Sequence, residues 1–393
     1  MRVAVVGSGI AGLASAAHLA RAGHAVTIFE RFETPQPIGA GLLLQPSGLA
    51  ALDTLGLRAE AEARGAHVSR LIGRTPGGRS VLDLRYADGK PGDIGIGIHR
   101  ASLFSLLFEA AHEAGADWRA GAGVAQIEAM EDTPRLILET GEETAPFDLA
   151  IVSDGAHSAL RHAVCPQARE HLYPWGAVWA IRPDPDGARD GELAQVYDGC
   201  RVMVGLLPVG DNPADREGRP GVSFFWSLRT DALPAWRKAG LDAFKAEVAR
   251  YWPRAAAAIE GVDDPDVFAP ARYRDGVCPS WRRGNTLLIG DAAHAMSPQL
   301  GQGANLALCD AAALAGALTD HAPLHHALPA FEKARRPTTT YYTLMSRALT
   351  PVFQSRSRLI GWLRDLFMPL GCRLPGIRNW MAWTLAGRGR LPW

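Results

Sequence analysis

Three groups of residues in this chain combine glycine with a carboxylate at spacings that could hold a nucleotide. The first is Gly7-Ser8-Gly9-Ile10-Ala11-Gly12, with Glu30 eighteen residues beyond Gly12. In such a pattern Gly7 permits a tight turn, Gly9 lets the backbone approach a pyrophosphate, and Gly12 lets helix and strand pack closely. An acid at Glu30 is placed to accept hydrogen bonds from ribose hydroxyls. The second group is the run from Ile151 to Arg161, where an apolar stretch ends in Asp154-Gly155. Taken alone it is a strand-to-loop turn with an exposed acid. The third is Leu288-Ile289-Gly290-Asp291, followed by Pro298, Gly301, Gly303, Ala304 and Asn305. Asp291 can accept from hydroxyls, and the glycines lead into a helix N-terminus suited to developing negative charge.

Positioning these groups requires strands that end just before each turn. Residues 3–6 read as a short buried strand, 13–21 as a helix closed by Gly23, and 25–30 as a second strand, which together make a β-α-β unit. Helices are predicted over 47–55, 101–114, 241–251 and 303–318. Strands are predicted over 123–130, 135–140, 149–153 and 286–289. Residues 68–98 suit a hairpin excursion, and 178–181, 193–197, 202–207 and 222–228 suit antiparallel strands between Pro, Gly and Asp turns. His321, His325 and His326 fall in a polar, proline-containing stretch that reads as a loop. The interleaving predicts an α/β fold: a Rossmann-like domain built from 1–68, 98–172 and 270–335, with an inserted antiparallel sheet domain from 69–97 and 173–269. A helical C-terminal segment, 336–393, follows.

Composition narrows the chemistry. The 393 residues are long for one core and suit two joined domains. The 41 basic and 41 acidic side chains cancel, so the basic footprint of a nucleic-acid partner is missing. Five cysteines form no C-x-x-C pair and the histidines form no H-E-x-x-H pattern, which argues against disulfides and zinc. No apolar stretch reaches the roughly 18 residues of a membrane span. The first strand begins almost at the initiator, leaving no room for a leader peptide, so the cytoplasm is the expected compartment.

In this order and spacing, the G-x-G-x-x-G, Asp-Gly and Gly-Asp groups resemble the class A flavoprotein monooxygenases, the para-hydroxybenzoate hydroxylase-like family. Glu30-Arg31 with Gly39-Ala40-Gly41, and Ile98-His99-Arg100 with Leu103, add to the likeness. The resemblance implies FAD as cofactor, held by Gly7, Gly9, Ile10, Ala11 and Gly12, with Glu30 and Arg31 at the adenosine ribose. It places Arg100 and Asp154 near the ribityl chain and pyrophosphate, Asp291 on the ribitol, and the backbone of Val124 at the adenine. Pro298, Gly301, Gly303, Ala304 and Asn305 would face the isoalloxazine ring. It further implies that NADH or NADPH serves as a transient donor. O₂ would then pass one atom to an aromatic or polycyclic small molecule through a flavin C4a-hydroperoxide. His294 is read as a structural residue behind its motif, and no substrate base is identified.

The inserted sheet should roof the substrate. Trp179, Tyr197, Met203, Phe224, Trp226 and the flanking Gln45 and Pro298 are its candidate lining, although strand alternation must turn half of the sheet residues away. Rival readings are a flavin reductase or dehydrogenase, a halogenase, and an FAD-binding protein without turnover. Trp175 to Pro183 departs from the halogenase W-x-W-x-I-P spacing, and Lys90 is the one candidate for its catalytic lysine. In the C-terminal segment Val352, Leu359, Leu363, Leu366 and Leu370 share a helical face. Packing on the FAD domain is the favoured reading of that face, with peripheral membrane contact as the alternative.

Overall fold

The computed structural model describes residues 1–34, 40–184, 191–213, 215, 217–321 and 323–392. Its first sheet has six strands in the order Arg282–Arg283, Thr286–Leu288, Leu149–Val152, Arg2–Val6, Ala25–Phe29 and Asp117–Arg119. The pairs are parallel except for the hairpin at one edge. Val3, Val5, Ala150, Ile151 and Leu287 are wholly inaccessible, as expected for parallel strands covered on both faces. One cover is the helix Ile10–Arg21, whose buried Ala11, Ala14, Ala16, Ala17 and Ala20 bring its axis close to its neighbours. It packs against Gly303–Asp320 and Arg100–Glu113. All three chain segments expected in the Rossmann-like domain thus meet in one sheet.

The second sheet has seven strands: Ala269–Val277, Arg169–Pro183, Gly221–Arg229, Val202–Gly210, Glu192–Asp198, Arg70–Arg74 and Ser80–Arg85. The 70–85 hairpin joins the inserted sheet through a parallel pairing with Glu192–Asp198. A three-stranded sheet, Gly41–Leu44, Gly95–His99 and Ala66–Val68, lies where the two halves meet. There the approach is close, because a Cβ on Gly97 would sit 1.9 Å from the carbonyl oxygen of Pro208. Helices Leu233–Ala239, Leu241–Tyr251 and Pro253–Ala258 follow the last hairpin, and only the middle one was predicted from periodicity.

Two expectations are corrected. His325 and His326 are not in a loop; they lie in the first turn of a 30-residue helix, Leu324–Phe353. Pro323 precedes that helix, where its missing N–H costs nothing, and Ala327, Leu328 and Phe331 bury its inner face. This helix also runs through position 336, where the sequence reading divided the chain. The two later helices, Arg358–Arg373 and Pro375–Leu385, do not simply dock on the nucleotide-binding half. They pack mainly on the strand Ser80–Arg85 and the turn after it. The end of the last helix reaches the other half, where the Leu385 carbonyl accepts from Gln302 Nε2 at 2.8 Å. No described helix is long and apolar enough to cross a membrane.

Candidate functional site

Parallel register brings the chemistry-bearing turns to one edge. Val6 pairs with Val152 and with Phe29, and Val152 pairs with Leu288, so Gly7, Glu30, Asp154 and Gly290-Asp291 all follow strands that end level. Gly7 has φ +95°, and a Cβ there would lie 2.9 Å from the Ser153 carbonyl oxygen. A Cβ on Gly12 would lie 2.0 Å from the Gly7 carbonyl oxygen. Gly9 differs: its φ of −69° and ψ of −179° suit any residue, and a Cβ would meet nothing closer than 3.9 Å. Protein packing therefore accounts for Gly7 and Gly12 and leaves Gly9 to a ligand. The helix behind it opens without a side-chain cap, so its first N–H groups are free for phosphate oxygens.

Glu30 is 8% exposed just past its strand, and its carboxylate accepts from the backbone N–H of Ser8 at 2.9 Å and of Phe32 at 3.1 Å. Those bonds aim the carboxylate while leaving lone pairs for ribose hydroxyls. Asp154 accepts from the Ala159 N–H at 3.1 Å through Oδ2, but its buried Oδ1 has no partner among the described residues. Burial pushes its pKa up. An orphaned acceptor beside Gly7 fits a hydroxylated or phosphorylated ligand.

Sequence reasoning gave Arg161 no role, and the structure gives it a central one. Its side chain is inaccessible; Nε donates to the Ala292 carbonyl at 2.7 Å and Nη2 to those of Asp291 and Ala156 at 2.9 and 3.1 Å. Nη1 pairs with Glu170 at 2.6 Å. One guanidinium thus ties the Asp-Gly turn to the Gly-Asp turn across more than 130 residues of chain. Only the tertiary fold reveals this, although an arginine a few residues past an Asp-Gly turn was a visible signal.

A second buried network sets the Gly-Asp turn from behind. Asp310, wholly buried, accepts from the Gly290 N–H at 3.2 Å and Arg335 Nε at 2.7 Å, and contacts His294 Nε2 at 2.6 Å. Burial raises the Asp310 pKa, but the charges of His294 and Arg335 outweigh that effect and hold it below its ordinary value. His294 is occupied in this network rather than in contact with a ligand. Gly290 itself has φ +61° and lies against Ala11.

The Gly301 turn and the N-terminus of Gly303–Asp320 come next. The helix has no side-chain cap, Asp291 is exposed beside it, and a Cβ on Gly303 would lie 3.6 Å from Asp291 Oδ1. Pro298 is exposed, and Gly303 and Ala304 are partly so. The side chain of Asn305 is turned inward. It is wholly buried, accepts from the Gln45 N–H at 2.8 Å, and donates to the Leu43 and Gly301 carbonyls at 3.0 and 2.9 Å. Its side chain locks the turn instead of contacting a ligand. Gln45 is buried too; Tyr86 Oη donates to its Oε1, while its Nε2 has no partner among the described residues. A Cβ on Gly301 would lie 3.6 Å from that Nε2, so an unused donor sits at the glycine turn.

Two roof candidates are corrected. Phe224 and Trp226 point away from the nucleotide-binding half, into an aromatic cluster with Phe244 and Phe268, because alternation puts them with Val178 and Val204. The opposite face carries Trp179 and Phe225, with ring centroids 4.9 Å apart, and Ser223, whose hydroxyl accepts from the Gly41 N–H at 3.1 Å. Phe225 was missed; the in-out register of its strand was not legible without that cross-domain contact. Tyr197 and Met203 pair on this same face, but Tyr197 is covered by Phe353 and by the Arg364 guanidinium, 4.8 Å from its ring. Arg31 and Arg100 are exposed, Arg100 at the first position of its helix, and Val124 is buried in a strand paired with Leu138. Gly39 lies outside the described residues.

These features fit FAD: an open glycine at a phosphate-ready helix end, an aimed ribose acceptor, an orphaned acid, and a second uncapped helix end for the ring. The family described as FAD binding domain matches residues 1–338. Among curated relatives, 2-heptyl-3-hydroxy-4(1H)-quinolone synthase of Pseudomonas aeruginosa is 29% identical, covering 94% of both chains. The 3-amino-4-hydroxybenzoate 2-monooxygenase of Streptomyces cremeus is 31% identical, covering 90% of this chain and 88% of that one. Among solved structures, Klebsiella pneumoniae HpxO complexed with FAD and uric acid shares the fold. It has a TM-score of 0.81 at 22% identity, over 98% of this chain and 97% of that one.

Proposed function

We propose that this chain, which belongs to the FAD binding domain family and is an FAD-dependent monooxygenase, hydroxylates a small aromatic molecule. The substrate lies between the Gly301 turn and the Trp179–Phe225 face of the seven-stranded sheet. NADH or NADPH is the donor and O₂ the oxidant, and the cytoplasm, which holds reduced nicotinamide nucleotides, is the assigned compartment. The carrying observation is the row of glycine-carboxylate turns on one sheet edge, with Gly9 left open by the protein around it. The relatives, named for a quinolone and an aminohydroxybenzoate, support the aromatic substrate class.

When bound, FAD supplies electron transfer from the nicotinamide and the activation of O₂. The chain supplies position and electrostatics. Free N–H groups behind Gly9 would hold the pyrophosphate, Glu30 the adenosine ribose, and Asp154 and Asp291 the hydroxyls between ribose and ring. The uncapped N–H groups of Gly303 and Ala304 would stabilise negative charge on the ring. Gln45 Nε2, without a partner among the described residues, would donate at the ring edge. The Trp179–Phe225 pair presents apolar surface that keeps water from the reacting atoms and stacks an aromatic substrate.

A panel of hydroxybenzoates, aminohydroxybenzoates and quinolones tests the proposal, read as stimulation of NAD(P)H oxidation by the FAD-loaded protein. At least one class should accelerate oxidation. A loaded protein whose oxidation rate no member changes would contradict the substrate assignment.

A further inference from the structure

We infer that the C-terminal helices form a docking surface for an anionic lipid bilayer. The helix Arg358–Arg373 is turned inside out relative to a globular surface helix. Leu359, Trp362, Leu363, Leu366, Phe367 and Leu370, at i, i+3, i+4, i+7, i+8 and i+11, form a single stripe that is 37% to 65% exposed. Its inward face carries Gly361, Arg364 and Cys372. A Cβ on Gly361 would lie 3.0 Å from the Gly199 Cα, so the helix backbone rests on the sheet's turn. Arg364, buried, sits over Tyr197 and Phe353 and pairs with Asp365. The charge is therefore buried and the apolar stripe faces out.

The next helix, Pro375–Leu385, extends the patch with Ile377, Trp380 and Trp383, each at least 44% exposed. At roughly 200 Å² per ring, the four exposed aromatics contribute on the order of 400 Å². The four aliphatic side chains of the stripe, with Ile377, carry the total past what a monomer's surface ordinarily shows.

Charge selects the occupant. The whole chain is neutral, yet from Gln354 to Pro392 it carries seven arginines and one carboxylate, Asp365; with Arg364, Arg378 and Arg388 paired to Asp365, Asp88 and Asp93, an excess of four arginines remains. Arg358 and Arg373 bracket the stripe, and with Arg390 they form no ion pair among the described residues. Tryptophans flanked by arginine suit the headgroup boundary of an anionic leaflet, with rings in the acyl region and cations on phosphates. A two-fold dimer through the same face would set each copy's arginine rim against the other's, a like-charge contact without compensation.

The test uses the full-length, FAD-loaded protein in co-sedimentation with phosphatidylcholine vesicles and with vesicles of about 3:1 phosphatidylcholine to phosphatidylglycerol. Binding is expected to the anionic vesicles and to fall at about 1 M salt, where the Debye length is about 3 Å. The double variant W362Q/F367Q should lose at least about tenfold in affinity while keeping its flavin and its melting temperature. The charge variant R358E/R373E, which leaves the apolar stripe intact, should lose anionic selectivity. Protein that stays in the supernatant with both vesicles at low salt would overturn the inference. So would equal binding to neutral vesicles, or a concentration-dependent dimer that W362Q/F367Q dissolves.

Discussion

Replacing Gly9 with alanine separates what the fold needs from what the ligand needs. The backbone at Gly9 is open to any residue, and the added methyl would meet no protein atom closer than 3.9 Å. Alanine is a poorer N-cap than glycine by about 0.5–1 kcal/mol. It also removes unfolded-state freedom worth about 0.4–1 kcal/mol. The apoprotein should therefore unfold within about 0.5 kcal/mol of the parent. FAD binding should respond differently, because the methyl occupies the space the pyrophosphate needs to reach the helix N–H groups. Losing one charge-assisted hydrogen bond of about 1.5–3 kcal/mol weakens FAD by roughly 10- to 150-fold. Denaturant unfolding of the apoprotein and fluorescence titration with FAD read the two quantities. Gly12→Ala is the control: its methyl would lie 2.0 Å from a backbone oxygen, so it should destabilise the apoprotein itself by several kcal/mol, about 3 or more. Apoprotein destabilisation by Gly9→Ala above about 2 kcal/mol, or an unchanged FAD affinity, would refute the reasoning.

Arg161→Met should destabilise by about 3 kcal/mol, because it strands the buried carbonyls of Gly155, Ala156, Asp291 and Ala292 while Glu170 keeps Arg274, and should lower the temperature at which bound flavin is released. A shift in unfolding free energy under about 1 kcal/mol would show that the turns hold themselves. Asp310→Asn should cost about 3 kcal/mol by leaving Arg335 buried and unpaired. Since the folded pKa of Asp310 is lowered, its stabilisation is present above the ordinary aspartate range and is lost as pH falls through the folded value. The variant's acid-side stability profile, followed by urea unfolding, should be correspondingly flatter. Asp154 has the opposite sign: its folded pKa is raised, so stability falls as pH rises from the ordinary carboxylate range through the folded value. Asp154→Asn should therefore make the apoprotein more stable at neutral pH, by about 1 kcal/mol, while weakening FAD. A less stable neutral apoprotein would contradict the orphaned-acid assignment.

The nucleotide-binding half was legible because its signals are local. Glycines with forced geometry, all-apolar parallel strands and carboxylates at strand ends each announce themselves within a few residues of chain. Asp154 and Asp291 gained meaning only in combination, since either turn alone reads as an ordinary loop. Arg161 and Asp310 were not assigned because their partners lie far away in sequence and are mostly backbone groups that any residue would supply. The side-chain partners of Asn305 were hidden for a related reason: an amide at a helix start suits a ligand or a neighbouring turn equally, and the approach of Leu43 and Gln45 decided which its side chain takes. The roof failed at register. Phe224, Phe225 and Trp226 are equally apolar, so hydrophobicity could not say which face turned toward Gly41. The histidines near 325 were hidden by prolines that a long helix tolerates near its start.

Labelled oxygen tests the central claim most directly. The FAD-loaded protein should be turned over with NADH or NADPH, the most stimulating aromatic compound and ¹⁸O₂, and the product weighed by mass spectrometry. A monooxygenase must place a single ¹⁸O atom in the product, with one nicotinamide oxidised for each hydroxylation and the other oxygen atom released as water. A product formed without label from ¹⁸O₂, or labelled only from H₂¹⁸O, would contradict the account.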